Sequence, residues 1–189
     1  GRQAVSAQFI ENLMAVLNGR ALDFVVVHHV EPDHLASLQE VLVRWPNAVI
    51  VCSMQASRFM KQLMDIPEHI QFQIVKEGDS LNTGKHTLNF VGAQMVHWPE
   101  VLVSYDATDK VLFSADAFGT FGALNGNLYA DEVNFDREWM YEARRYYTNI
   151  VGKYGMQVQN LLKKAATLDI AMVCPLHGPI WRKDFDKFV

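Results

Sequence analysis

Cysteine is scarce in this chain: 189 residues hold two, Cys52 and Cys174. That excludes a disulfide scaffold and a four-cysteine iron–sulfur or zinc site. Both lie in apolar, strand-like surroundings and read as reduced, buried thiols. A basic excess is also missing, with 17 Lys and Arg against 21 Asp and Glu and a net charge of −4. There is no basic stripe and no RNA or DNA readout motif, so nucleic acid is not expected as a partner. No apolar run approaches the roughly 18 residues of a membrane span, and no signal peptide opens the chain. A cytoplasmic protein with no membrane contact is expected. Internal repeats, low-complexity segments and linkers are absent as well. The chain opens at Gly1-Arg2 without a methionine and stops at Val189 inside a charged, aromatic segment, which reads as a piece of something longer.

What remains is globular. Half the residues (50%) are hydrophobic, enough for one ordinary domain over residues 1–189 with a real core. Ser6 can cap a helix carrying Phe9, Ile10, Leu13, Met14 and Leu17 on one face. Strands are expected at 24–27, 48–52, 71–75, 86–91 and 170–174, with a hairpin of 101–105 and 111–115. Helices are expected from Leu35 to just before Pro46, and over 53–64, 136–150 and 155–167. Residues 118–135 read as glycine-rich and irregular. Helices alternate with strands early, and a strand-rich middle follows. That pattern is α/β, with sheet layers between helix layers.

The chemistry is concentrated in His29-Val30-Glu31-Pro32-Asp33-His34, two imidazoles and two carboxylates in six residues. The stretch follows the apolar run Phe24-Val25-Val26-Val27, so it sits on the loop leaving a strand's C-terminal end. Imidazole with carboxylate suits iron, zinc or manganese. Three more candidates each lie just past a strand: His97, Asp116 and His177. Seven groups are then available, four imidazoles and three carboxylates, enough for two metal ions. One shared carboxylate, best placed at Asp116, would bridge ions about 3.5–4 Å apart. Related zinc hydrolases carry His-x-His-x-Asp-His, whereas here Glu31 takes the second histidine's place. Two ferrous ions bring four positive charges and three carboxylates leave about one, which one hydroxide neutralises. This harder, more anionic set favours a redox metal over zinc, which has no redox chemistry. The competing reading is a dinuclear zinc metallo-β-lactamase-like hydrolase. His28, on the other side of its strand from His29, reads as a core histidine, and His69 and His86 as solvent-facing. Trp98 and Tyr129 read as pocket wall, and the eight methionines as core filling.

The spacing His29-x-Glu31-x-Asp33-His34, then His97, Asp116 and His177, resembles the diiron site of the flavodiiron proteins (A-type flavoproteins). The flanking text resembles that family too: His97-Trp98-Pro99, Ser114-Ala115-Asp116-Ala117-Phe118-Gly119, Tyr147-Thr148-Asn149-Ile150-Val151 and His177-Gly178-Pro179-Ile180-Trp181. The likeness runs from Phe24 to Trp181. It implies a metallo-β-lactamase-like αββα sandwich, here lacking that fold's first strands. It implies that His29, Glu31, His97 and a bridging Asp116 hold one iron, and Asp33, His34, Asp116 and His177 the other. These seven are both the metal ligands and the catalytic set. The implied reaction is reduction of O2 to water, of NO to N2O, or both. Electrons would come from FMN on a separate flavodoxin-like domain or from another electron-donor protein. A head-to-tail homodimer is implied as well.

Overall fold

The computed structural model describes residues 3–187. The chain forms two compact units, Gly1–Lys76 and Glu77–Val189. No helix among the described residues is long and apolar enough to cross a membrane.

In the first unit, helix α1 (Ser6–Leu17) ends at Asn18, whose left-handed backbone (φ 48°) closes the last turn. Ser6 does not cap it. The residue ahead of the helix is Val5, and the Ser6 hydroxyl bonds the Ser37 hydroxyl at 2.7 Å. Strands β1 (Phe24–Val27), β2 (Val49–Cys52) and β3 (Phe72–Ile74) form a parallel sheet in that order, with Phe24 opposite Val49 and Ile50 opposite Phe72. The central strand is apolar throughout, as a strand covered on both faces must be: Ile50 and Val51 are 0% exposed. Where a single helix from Leu35 is expected, there are two. Helix α2 (Pro32–Leu35) begins at Pro32, whose fixed φ and missing N–H suit a first helical position. Helix α3 (Leu38–Arg44) restarts after Ala36-Ser37 and buries Leu38, Val41 and Leu42. Helix α4 (Met54–Leu63) is capped by Ser53, whose hydroxyl accepts the Ala56 N–H at 3.0 Å.

The second unit is built on a five-stranded sheet ordered β4 (Ser80–Asn82), β5 (Thr87–Gly92), β6 (Leu102–Asp106), β7 (Val111–Phe113) and β8 (Met172–Cys174). Strand β4 is three residues long and too polar to register as an apolar run, and the sequence gives no sign of it. Pairing is antiparallel through β7 and parallel between β7 and β8. Strands β5, β7 and β8 therefore run in one direction, and their C-terminal ends share one edge of the sheet. The central β6 is buried at every position. Helices α5 (Phe135–Glu138), α6 (Met140–Ile150) and α7 (Gly155–Ala165) lie between β7 and β8 in the chain. The single helix expected over 136–150 breaks at Trp139 (φ −123°), which is itself buried at 8% exposure. The core gathers Val103, Leu112, Phe135, Leu161, Val173 and Trp181, with the Phe135 and Trp181 rings edge to face at 4.5 Å.

Burial on β2 sets a stability contrast. Ile50→Ala, at 0% exposure, should cost about 2–5 kcal/mol. Val43→Ala, at 77% exposure on α3, should stay within about 0.5 kcal/mol. Urea unfolding of the two variants beside the parent chain measures both.

Candidate metal centre

In the first unit the polar cluster leaves β1 and turns directly into α2. Glu31 stands just ahead of the helix with extended backbone (ψ 145°), and its carbonyl accepts the His34 and Leu35 N–H groups at 2.9 and 3.2 Å. Asp33 and His34 are thus on the first turn of a helix started by Pro32, not on the free loop the sequence suggests. That gives both side chains a fixed backbone. His29 is buried at 1% exposure, and its Nε2 lies 3.4 Å from Glu31 Oε2. His34 Nε2 lies 3.7 Å from Asp33 Oδ1, and the His29 and His34 rings are 5.2 Å apart. The unit therefore presents two imidazole–carboxylate pairs side by side.

In the second unit the three candidates follow β5, β7 and β8, so sheet direction gathers them at one edge. Asp116 is central and 1% exposed. Its Oδ2 is 3.0 Å from His97 Nε2, and its Oδ1 is 3.6 Å from His177 Nε2. Each carboxylate oxygen faces a different imidazole. Two donors each about 2.1 Å from one ion, at angles of roughly 90–110°, stand about 3.0–3.4 Å apart. The spacings of 3.0, 3.4, 3.6 and 3.7 Å lie at or near that range.

The Asp116 loop is held in an unusual backbone. Ala115 (φ 52°) and Phe118 (φ 65°) both occupy the left-handed region that L residues avoid. Compensation comes from a tight local lattice: Ser114 Oγ donates to the Ala117 carbonyl at 2.7 Å, and Gly119 N–H donates to the Asp116 carbonyl at 3.1 Å. Gly119 cannot be larger, because a Cβ there would meet the Asp116 carbonyl at 2.9 Å and the Tyr146 ring at 3.0 Å.

The neighbours divide into those the sequence points to and those it does not. Trp98 lies edge-on to His97, with ring centres 6.2 Å apart. The Tyr129 ring sits under the Arg182 guanidinium at 3.7 Å, a cation–π contact. Tyr146, not singled out by the sequence reading, is 4% exposed with its ring 5.7 Å from His177. The available signal is weak: Ala143, Tyr146 and Ile150 fall on one stripe of α6. A cavity of about 650 Å³ in this unit is bounded by Val96, Phe118, Val151 and Leu161 and also reaches Asp116 and Tyr146.

His69 is exposed, as expected. His86 is a third exposed, and its Nδ1 also lies 2.7 Å from Asp106 Oδ2 and 3.8 Å from Asp109 Oδ2. Asp106 Oδ1 accepts the Thr108 N–H at 2.9 Å, so both oxygens of that carboxylate are engaged, and the group reads as an ion pair. Burial pushes the Asp106 carboxyl up, but the Thr108 amide and the His86 imidazole outweigh it and hold it below the usual range. Desolvation lowers His28 to about 4, so it is neutral at physiological pH. Both cysteines are free; burial raises Cys52 to about 12 and also raises Cys174, which leaves neither a reactive thiolate.

Residues 1–178 match the protein family described as ODP family beta lactamase. The anaerobic nitric oxide reductase flavorubredoxin of Aeromonas hydrophila is 36% identical over 182 residues, covering 95% of this chain and 36% of that protein. Among solved structures, the flavodiiron protein of Giardia intestinalis superposes with a TM-score of 0.90 at 30% identity, over 97% of this chain and 44% of that one. The rubredoxin oxygen:oxidoreductase of Desulfovibrio gigas gives 0.85 at 28% identity, over 96% and 45%. This chain spans less than half the length of these relatives.

The strained loop yields a test. Ala115→Gly relieves a left-handed penalty of about 1–2 kcal/mol against roughly 0.5–1 kcal/mol of chain entropy, so it should be neutral or stabilising. Ala115→Val puts a β-branched side chain at φ 52° in a site 1% exposed and should cost about 2 kcal/mol or more. Denaturation midpoints of the metal-free variants compare the two.

Proposed function

Since this chain belongs to the ODP family beta lactamase group, as the metallo-β-lactamase-like domain of a flavodiiron protein, we propose that it is the catalytic module of a diiron oxidoreductase. Its α/β fold is metallo-β-lactamase-like. The reaction we assign is reduction of NO to N2O, of O2 to water, or both. The observation that carries the assignment is the pair of histidines on opposite oxygens of Asp116, at 3.0 and 3.6 Å, a disposition suited to a bridging carboxylate.

The donor set fits an iron pair. Four imidazoles and three carboxylates leave two ferrous ions nearly neutral once one hydroxide is added, and a carboxylate-rich set supports the ferric state. In this proposal His29, Glu31 and His97 hold one iron, Asp33, His34 and His177 the other, and Asp116 bridges. An iron pair held by these residues would supply the two-electron reducing chemistry. The chain's own residues fix the ligands and shape the approach. Pro32 presets the turn that carries Asp33 and His34, and Trp98 walls the His97 side. A cavity of about 650 Å³ beside Asp116, lined by Val96, Phe118, Val151 and Leu161 and also by Arg144 and Gln159, is large enough to admit NO or O2. The two compact units together make up one domain. FMN on a flavodoxin-like domain delivers electrons, within a head-to-tail homodimer in the cytoplasm.

Metal content tests the centre. The chain produced with ample iron should bind about two irons. Asp116→Ala should release both, because each ion loses a ligand and the pair loses its shared anion. Glu31→Ala should weaken mainly one. Elemental analysis giving one zinc and no iron in the parent chain would overturn the redox reading in favour of hydrolysis. Two full irons in Asp116→Ala would remove the bridge.

Electron supply gives a second test. Two NO, two electrons and two protons give N2O and water, whereas O2 needs four electrons and four protons to give two waters. A reduced iron pair stores two electrons. The pre-reduced chain should therefore convert NO once in stopped-flow mixing, and sustain turnover only when a flavodoxin-like FMN partner and reductant are added. Steady NADH-driven turnover by this chain alone would contradict the assignment.

A further inference from the structure

The Asp116 and His177 loops are laced together by backbone hydrogen bonds. Ser114 N–H donates to the Cys174 carbonyl at 3.2 Å and Leu176 N–H to the Ala115 carbonyl at 2.8 Å. The rung at the histidine itself, Thr120 N–H to the His177 carbonyl, is the longest of these at 3.4 Å and therefore weak. Side-chain packing makes up the difference. Gly178 (φ 81°) lies so close to Thr120 that a Cβ would stand 2.2 Å from Thr120 Oγ1 and 3.1 Å from its Cβ. Thr120 thus seats the peptide that follows His177, while the Tyr146 ring stands 5.7 Å from the imidazole.

Thr120 is 2% exposed, and its Oγ1 is buried with no hydrogen-bond partner. Packing alone does not call for that hydroxyl. Valine fills nearly the same volume without burying an unmet polar group, which is unfavourable. A threonine here is accounted for if its hydroxyl gains a partner when the centre is loaded. The acceptor at hand is the His177 carbonyl, whose peptide Thr120 already touches and whose present rung is long.

We propose that Thr120 is a positioning residue for His177: its hydroxyl takes up the His177 carbonyl in the metal-loaded centre and fixes the imidazole against Asp116. The proposal rests on the diiron reading above and concerns the iron that His177 would hold. Hydrogen bonds that orient a ligating imidazole through its ring N–H are worth about 10–100-fold in metal affinity; a bond that fixes the same imidazole through its backbone carbonyl should act at the lower end of that range.

The experiment compares Thr120→Val and Thr120→Ser with the parent chain, by titration of the metal-free proteins with ferrous iron and by EPR of the half-reduced iron pair. Thr120→Val should keep its unfolding midpoint and bind one iron normally. The other iron should bind about 10-fold or more weakly, with an altered half-reduced signal. Thr120→Ser, which keeps the hydroxyl, should return affinity to within about threefold. Thr120→Ala removes the hydroxyl with less bulk and serves if valine prevents folding; it should show the same selective loss. Parent-like affinity and spectrum in both hydroxyl-free variants would overturn the proposal. So would equal weakening in Thr120→Ser, which would point to packing. A parent chain that binds fewer than two irons would instead refute the diiron reading itself.

Discussion

Asp116 is a carboxylate at 1% exposure, and burying such a group is unfavourable unless positive charge or hydrogen-bond donors meet it. Its two oxygens are addressed by two imidazoles from different strand ends. The sheet makes this possible. With β5, β7 and β8 running the same way, three loops separated by up to 80 residues of chain (His97 to His177) open at one edge. Reversing any one of those strands would carry its histidine or aspartate to the far edge, away from its two partners. Sheet direction therefore decides that His97, Asp116 and His177 can meet.

Much of this was legible in the sequence because it depends on short-range signals. The run Phe24–Val27 followed by alternating polar groups places the first cluster after a strand, and β1 ends where that pattern predicts. His97, Asp116 and His177 each trail an apolar run, and each trails a strand in the structure. Other features depend on backbone geometry that composition does not encode. With Leu35 taken as the helix start, Pro32 falls in the loop before it, yet at a first helical position it begins the helix, and so Asp33 and His34 lie on α2. Trp139 reads as one more apolar residue on a long helix, but its burial bends the chain between α5 and α6. The left-handed conformations at Ala115 and Phe118 carry no signal, since neither residue type favours them.

Chemistry was more legible than surroundings for the same reason. A ligand must be His, Asp, Glu or Cys, so the alphabet restricts the candidates and spacing does the rest. The residues that orient ligands face no such restriction. Tyr146 and Thr120 are ordinary core residues by type. They matter through a ring 5.7 Å from His177 and through a contact that only glycine at 178 permits. Glu31 lies between these cases: its identity is plain in the sequence, but its meaning comes from the charge count of the whole set.

Strain and metal affinity are linked through the Asp116 loop. Two left-handed L residues together oppose folding by about 2–4 kcal/mol. A protein of this size holds a net stability of only about 5–15 kcal/mol, so that is a large fraction. A ligand that binds only the folded state at a thousand times its Kd adds about 4 kcal/mol, comparable to the strain it must offset. The loop can therefore keep a conformation that presents both Asp116 oxygens outward at once, which a relaxed turn has no reason to adopt. Metal-free protein carries the strain without that compensation. The 114–120 loop with its laced partner at 174–178 should then open more readily in metal-free than in loaded protein, and loading the centre should protect amides there more than those in β6, which is paired to a strand on each side.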